Sequence, residues 1–132
     1  MNYLFDTHTL LWSLFSPKRL SRRVCSTIED SQNSMYMSAV SLWEISLKYS
    51  LGKIEFPQDI RPEDIVGKLQ TAGGTILSLQ PEVAASLHQL PREHKDPFDR
   101  MLVWQAIQSN YTLISKDKEM GKYKKYGLSV SW

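Results

Sequence analysis

Short apolar runs alternate along the chain with longer stretches whose apolar positions recur every three or four residues. Asn2 to Phe5 reads as a buried strand, and Thr7 to Phe15 as a helix closed by Ser16-Pro17. Ser21 can cap a helix running to about Gln32. Ser34 to Met37 is a second strand, followed by a helix from Ala39 to about Leu51 that stops at Gly52. After a loop from Pro57 to Pro62, a helix spans Glu63 to Thr71 and ends at Gly73-Gly74. Thr75 to Leu79 is a third strand, and Pro81 starts a helix through about Gln89. A polar loop, Arg92 to Asp96, precedes a helix from Pro97 to about Ser109, which Asn110 ends. Tyr111 to Ser115 is a fourth strand, a short helix follows Asp117, and Leu128 to Ser131 is a fifth strand.

Strands that are short, wholly apolar and separated by helices belong to a sheet covered on both faces. The expected fold is therefore α/β, a three-layer α/β/α sandwich around a mostly parallel five-stranded sheet. With 132 residues and no linker, repeat or low-complexity tract, residues 1–132 read as one domain. The 42% apolar and 23% charged composition is that of an ordinary soluble domain. A single cysteine, Cys25, excludes an internal disulfide and reads as a buried, inert thiol. No run approaches the length of a membrane span and no leader pattern precedes Asp6, so a cytoplasmic location is expected.

Four acids stand in or beside apolar stretches, where a charge is costly. Asp6 ends the first strand, Glu44 lies between Trp43 and Ile45, Asp99 precedes Met101 to Trp104, and Asp117 follows the fourth strand. In parallel sheets the ligand crevice lies beyond the carboxyl ends of the strands, and all four acids can reach that edge. Each acid also has a plainer role. Asp6 and Asp117 can cap helices, and Ser41 to Glu44 matches a capping box. Ser38 caps at the more natural boundary, however, which leaves Glu44 in the second turn without that explanation. Asp96 before Pro97 is a helix cap, which leaves Asp99 for chemistry.

Carboxylates about 4 Å apart repel by about 4 kcal/mol at an effective dielectric near 20. Divalent cations remove that penalty, and hard oxygen donors favour Mg2+ or Mn2+. Asp6 and Asp99 would be the most direct ligands. Glu44 and Asp117 would complete the shell or orient water, with Thr7 and Ser115 holding the carboxylates by hydrogen bonds. Such a site suits phosphodiester hydrolysis. His8, His88 and His94 share no zinc-ligand spacing, although His8 falls near the crevice. Net charge is only +2, but Lys18, Arg19, Arg22 and Arg23 form one basic cluster. Lys116, Lys118, Lys122, Lys124 and Lys125 form another, and the pair would suit a polyanion.

With these residues in view, the chain resembles the PIN-domain ribonucleases, and within them the VapC-like toxins of toxin–antitoxin pairs. The matching segments are Leu4-Phe5-Asp6-Thr7-His8 with Leu10-Leu11-Trp12, then Ser38 to Ile45, Asp96 to Leu102, and Leu113 to Asp117. They cover nearly the whole chain in the family's order and spacing. The resemblance implies a Mg2+- or Mn2+-dependent endoribonuclease with Asp6, Glu44, Asp99 and Asp117 as its catalytic and metal-binding quartet. It also implies an RNA substrate, a homodimer and a small antitoxin that holds the enzyme inactive. An aspartyl-phosphate phosphotransferase would need an acid where His8 stands. A phosphoacceptor domain would need an Asp after the third strand, where Ser78-Leu79-Gln80 occurs. The remaining alternative is a catalytically silent binding module with the same fold.

Overall fold

The computed structural model describes residues 1–132. Five strands form one sheet: β1 Asn2–Phe5, β2 Ser34–Ser38, β3 Thr75–Leu77, β4 Thr112–Ile114 and β5 Ser129–Ser131. Their order is β3-β2-β1-β4-β5, and every neighbouring pair is parallel, so "mostly parallel" becomes all-parallel. Six α-helices connect them: α1 Thr7–Phe15, α2 Arg22–Glu29, α3 Ala39–Ser50, α4 Pro62–Thr71, α5 Pro81–Ser86 and α6 Pro97–Ser109. Short 3-10 helices lie at Pro17–Arg19, Leu87–Gln89 and Lys118–Tyr126.

Successive strand residues point to opposite faces, so a continuous apolar run feeds two cores at once. Leu4 and Leu113 enter one core with Val40, Leu102, Val103, Met120 and Tyr123. Their neighbours Phe5 and Ile114 enter the other with Leu10, Val24, Ile45, Ile65 and Leu69. That division makes the three layers. It also explains why the central strands show no polar alternation.

The predicted elements differ from the observed ones mainly at their ends. The helix expected to reach Gln32 stops at Glu29, where Asp30 leaves the helical conformation and turns the chain toward β2. Strands β3 and β5 are three residues each, shorter than their apolar runs, because the partner strand ends. The helix from Pro81 tightens into 3-10 geometry after Ser86. Asn110 takes the left-handed conformation at φ 56°, closing α6 where glycine is more usual. Cys25 is half-buried rather than buried and lines an apolar cavity of about 250 Å³ with Leu20, Ile28 and Met37.

The sheet order places the first crossover on one side of β1 and the return to β4 on the other. This is the point where an open parallel sheet parts at its carboxyl edge. Ser38, Gln105 and Ser78 brace that edge, since the Ser38 hydroxyl donates to Gln105 Oε1 and Gln105 Nε2 donates to the Ser78 carbonyl at 3.4 Å.

Candidate functional site

Asp6 leaves β1 at the switch point and is 4% exposed. Its Oδ1 accepts from the Thr9 backbone N–H at 2.8 Å, so the capping role expected for it is real. Its Oδ2 accepts from the Ser115 hydroxyl, which arrives from the end of β4. Ser115 Oγ in turn accepts from the Asp117 backbone N–H at 3.1 Å. One hydroxyl therefore ties the ends of β1 and β4 together and fixes the start of the Asp117 segment. Burial pushes the Asp6 carboxyl above the usual range, against the Ser115 and Thr9 hydrogen bonds that pull it down.

Glu44, 3% exposed, enters from the second turn of α3. Ser38 is the cap of α3, its Oγ accepting from Val40 N–H at 3.0 Å, which removes the capping-box alternative for Glu44. Thr7 Oγ1 lies 2.6 Å from Glu44 Oε1 as donor and 3.0 Å from Ser41 Oγ. Lys48, one turn further along α3, pairs with Glu44 Oε2. A buried glutamate with no partner was the reason to expect function there; Lys48 supplies a partner at i+4 spacing, so burial alone no longer argues for a metal. The Thr7 and Ser115 hydrogen bonds do take the form expected of them.

Asp99 sits in the first turn of α6, whose cap is Asp96, accepting from Phe98 N–H at 2.8 Å and Asp99 N–H at 3.3 Å. Burial, then the charges of Asp96, Glu44, Asp6 and Asp117, push the Asp99 carboxyl up to about 7. Three of the four acids foreseen in the sequence, Asp6, Glu44 and Asp117, thus lie close enough to the fourth, Asp99, for their charges to disfavour its own. Asp117 is the most open of them, its side chain 41% exposed, and it caps the 3-10 helix by accepting from Glu119 N–H at 2.9 Å.

His94 is the residue that spacing missed. Its Nε2 lies 3.5 Å from Asp99 Oδ2 and 3.6 Å from Asp117 Oδ2. These three side chains could surround an ion, their donor atoms all falling within 4.8 Å of one another. Hydrogen bonding argues against His94 as a ligand. Its Nδ1 accepts from the Asp96 backbone N–H at 3.0 Å, which leaves the ring hydrogen on Nε2, directed at the carboxylates. Ligation through Nε2 would move that hydrogen to Nδ1 and set it against another N–H. Oxygen donors from the acids, with the His94 ring N–H facing them at 3.5 and 3.6 Å, longer than an ordinary hydrogen bond, are the consistent arrangement. The signal was the step from His94 to Asp96 across a turn, which sequence spacing alone does not resolve. We expect His94→Ala to destabilise the metal-free protein by about 1 kcal/mol, with a smaller loss in Mn2+; thermal melts in chelator and in Mn2+ measure both.

A second set of side chains adjoins the acids. Asp6, His8, Trp12, Arg19, Lys116 and Asp117 line a cavity of about 380 Å³. His8, foreseen near the crevice, is exposed and stacks on Trp12 at 5.8 Å between ring centres. Of the two basic clusters, Arg19 and Lys116 reach this cavity, whereas Lys122 and Lys125 pair with Glu119 and Glu93.

The parallel sheet, its switch point and the acids gathered there define the class, and a family model for the PIN domain matches residues 3–126. The chain belongs to the PIN-domain family. It is 26% identical over 124 residues to Ribonuclease VapC22 of Mycobacterium tuberculosis, spanning 92% of this chain and 91% of that protein. Among solved structures, VapBC2 of Rickettsia felis bound to a promoter DNA fragment superposes with a TM-score of 0.67 at 18% identity. That match covers 99% of this chain and 98% of the other. DNA-bound VapBC of Salmonella typhimurium gives a TM-score of 0.68 at 14% identity, covering 99% and 97%. At these identities the structural likeness establishes the fold.

Proposed function

We propose that the protein is an endoribonuclease of the PIN family that requires Mg2+ or Mn2+ and serves as the toxin of a toxin–antitoxin pair. The convergence of Asp6, Glu44, Asp99 and Asp117 on one crevice at the switch point is the observation that carries this reading. The VapC22 likeness over most of both chains supports ribonuclease chemistry in particular.

The donor set fits a hard divalent cation. It is made of carboxylates, with two hydroxyls behind them and no free thiol or imidazole lone pair. Asp6 and Asp99 would hold the ion, with Asp117 and Glu44 at its margins. When bound, the ion offsets the mutual repulsion of the acids and supplies Lewis acidity toward a phosphodiester. Ser115 and Thr7 keep Asp6 and Glu44 from rotating away. Lys48 leaves Glu44 one oxygen already occupied, which suits that residue to orienting water more than to ligating. The His94 ring N–H faces Asp99 and Asp117 at 3.5 and 3.6 Å, close enough to bias both carboxylates toward the crevice electrostatically.

The partners follow from the same reading and from one surface feature. No helix is long and apolar enough to cross a membrane. Trp43, Leu47 and Leu51 are 63%, 41% and 59% exposed and recur at four-residue spacing along α3 and its end. Such an apolar row on a small protein supports a protein partner there, an antitoxin or a second copy. Leu47→Lys is expected to leave the melting temperature within about 2 °C and to lower the mass seen by light scattering or the affinity for the antitoxin. An unchanged assembly would remove that surface from the account. The function itself is tested by incubating purified protein with cellular RNA in Mn2+ and in chelator. Cleavage confined to the Mn2+ reaction is expected; a protein inert on every RNA pool would favour the silent binding module.

A further inference from the structure

The cavity beside the acids has a construction that metal binding does not need. Three separate elements meet there: Trp12 from α1, Arg19 from the 3-10 turn after it, and Lys116 from the segment after β4. The Arg19 guanidinium lies 5.6 Å from the centre of the Trp12 ring, and Lys116 Nζ lies 6.0 Å from it. Neither cation takes part in an ion pair, although Asp6 and Asp117 line the same cavity. Two cations steadied against one indole ring and unpaired with carboxylates are set for an anion. The indole is itself fixed, since Trp132 packs edge-on against it at 5.8 Å and His8 stacks on it with the ring planes 24° apart. His8 is exposed and offers a further flat face to an incoming ring.

An anion that also carries a flat ring is a nucleotide, and the shared Asp6 and Asp117 walls make this cavity continuous with the acid crevice. An acidic peptide would satisfy the cations but not the aromatic face. Resting on the nuclease reading, we propose that this cavity is a nucleotide subsite for single-stranded RNA. Arg19 and Lys116 hold the phosphate next to the one cleaved, and the stacked His8–Trp12 pair holds its base. The subsite would set which strand direction enters the acids, and it would favour unpaired RNA, because a paired base cannot present its face to His8.

The test uses a fluorescent, unstructured single-stranded RNA titrated in chelator, where nothing is cut, at several salt concentrations. Arg19→Gln with Lys116→Gln should weaken binding about tenfold at moderate salt and reduce the salt slope by about 1.4, near 0.7 per cation removed. Arg19→Lys should keep the slope. His8→Ala should weaken binding with no change of slope, as loss of stacking predicts. In Mn2+ the double variant should lose activity chiefly through KM, while its thermal stabilisation by Mn2+ persists. Arg19, Lys116 and His8 are exposed, so their replacement spares the core. A double variant that binds with wild-type affinity and slope overturns the subsite, and wild-type cleavage would then leave the nuclease reading standing. Binding that weakens as described in the variants, beside a wild-type protein that binds RNA but cuts none, keeps the subsite and sinks the nuclease reading. Competition by polyglutamate as strong as by a mononucleotide would overturn the subsite in favour of a peptide-docking face.

Discussion

Asp6→Asn should cleave RNA at least about 1,000-fold more slowly than the wild type while melting at the same temperature or higher in chelator. The two halves of that expectation have one cause. In the metal-free protein Asp6 is a buried carboxylate whose environment disfavours its charge. Asparagine keeps the Oδ1 that caps α1 through the Thr9 N–H, and its amide can donate to Ser115 Oγ in place of receiving from it. The fold thus loses a repulsive charge and little else, whereas the crevice loses a buried anionic oxygen. Single-turnover cleavage and a melt in chelator measure the two quantities. Comparable cleavage by Asp6→Asn would remove Asp6 from the chemistry.

The second large effect is on stability against pH. In the metal-free protein the Asp99 carboxyl is pushed up to about 7 from an ordinary 3.8, by burial first and by the surrounding acids second. A carboxyl with a raised folded pKa holds its proton more tightly folded than unfolded. Between pH 4 and pH 7 the unfolded chain has therefore released a proton that the native protein keeps. The metal-free protein loses stability as pH rises through that window, and the loss levels off above it. The Asp99 side chain remains 20% exposed, and relaxation of the crevice softens the repulsion, so about 2 kcal/mol, or roughly 5–10 °C of melting temperature, is expected. Mn2+ reverses the trend, because it binds the deprotonated acids and stabilises more at pH 8 than at pH 5.5. Asp99→Asn should flatten the chelator profile and lose most of the response to Mn2+. A wild-type profile no steeper than that of Asp99→Asn would show that the crevice does not confine its charges.

How far the sequence carried these conclusions varied with the type of signal. Runs such as Tyr3-Leu4-Phe5 and Leu113-Ile114 could only be strands buried on both faces, and the layered fold followed from them. Helix starts were legible because Asp6, Ser21, Ser38 and Asp96 all cap by short-range hydrogen bonds. Helix ends and edge strands were less so, since a neighbouring strand's length decides where β3 and β5 stop. Asp6, Glu44, Asp99 and Asp117 stood out by their apolar neighbours, and their gathering at one edge followed from strand polarity. Lys48 was readable at i+4 from Glu44 and would have tempered the argument from burial. His94 was not, because its approach to Asp99 and Asp117 depends on a loop whose path no periodicity encodes. Trp12, Arg19 and Lys116 meet only once β1 and β4 are neighbours, so their cavity is a tertiary fact.

The two outermost strands, β3 and β5, have three residues each. A visiting chain that tried to extend the ladder would find few backbone donors and acceptors to match. Recruitment by added strands is thereby made a poor route, and a companion must grip side chains on the outer helices. That restriction ties recognition to residues such as Leu47, which can drift in evolution without disturbing the sheet that aims the acids.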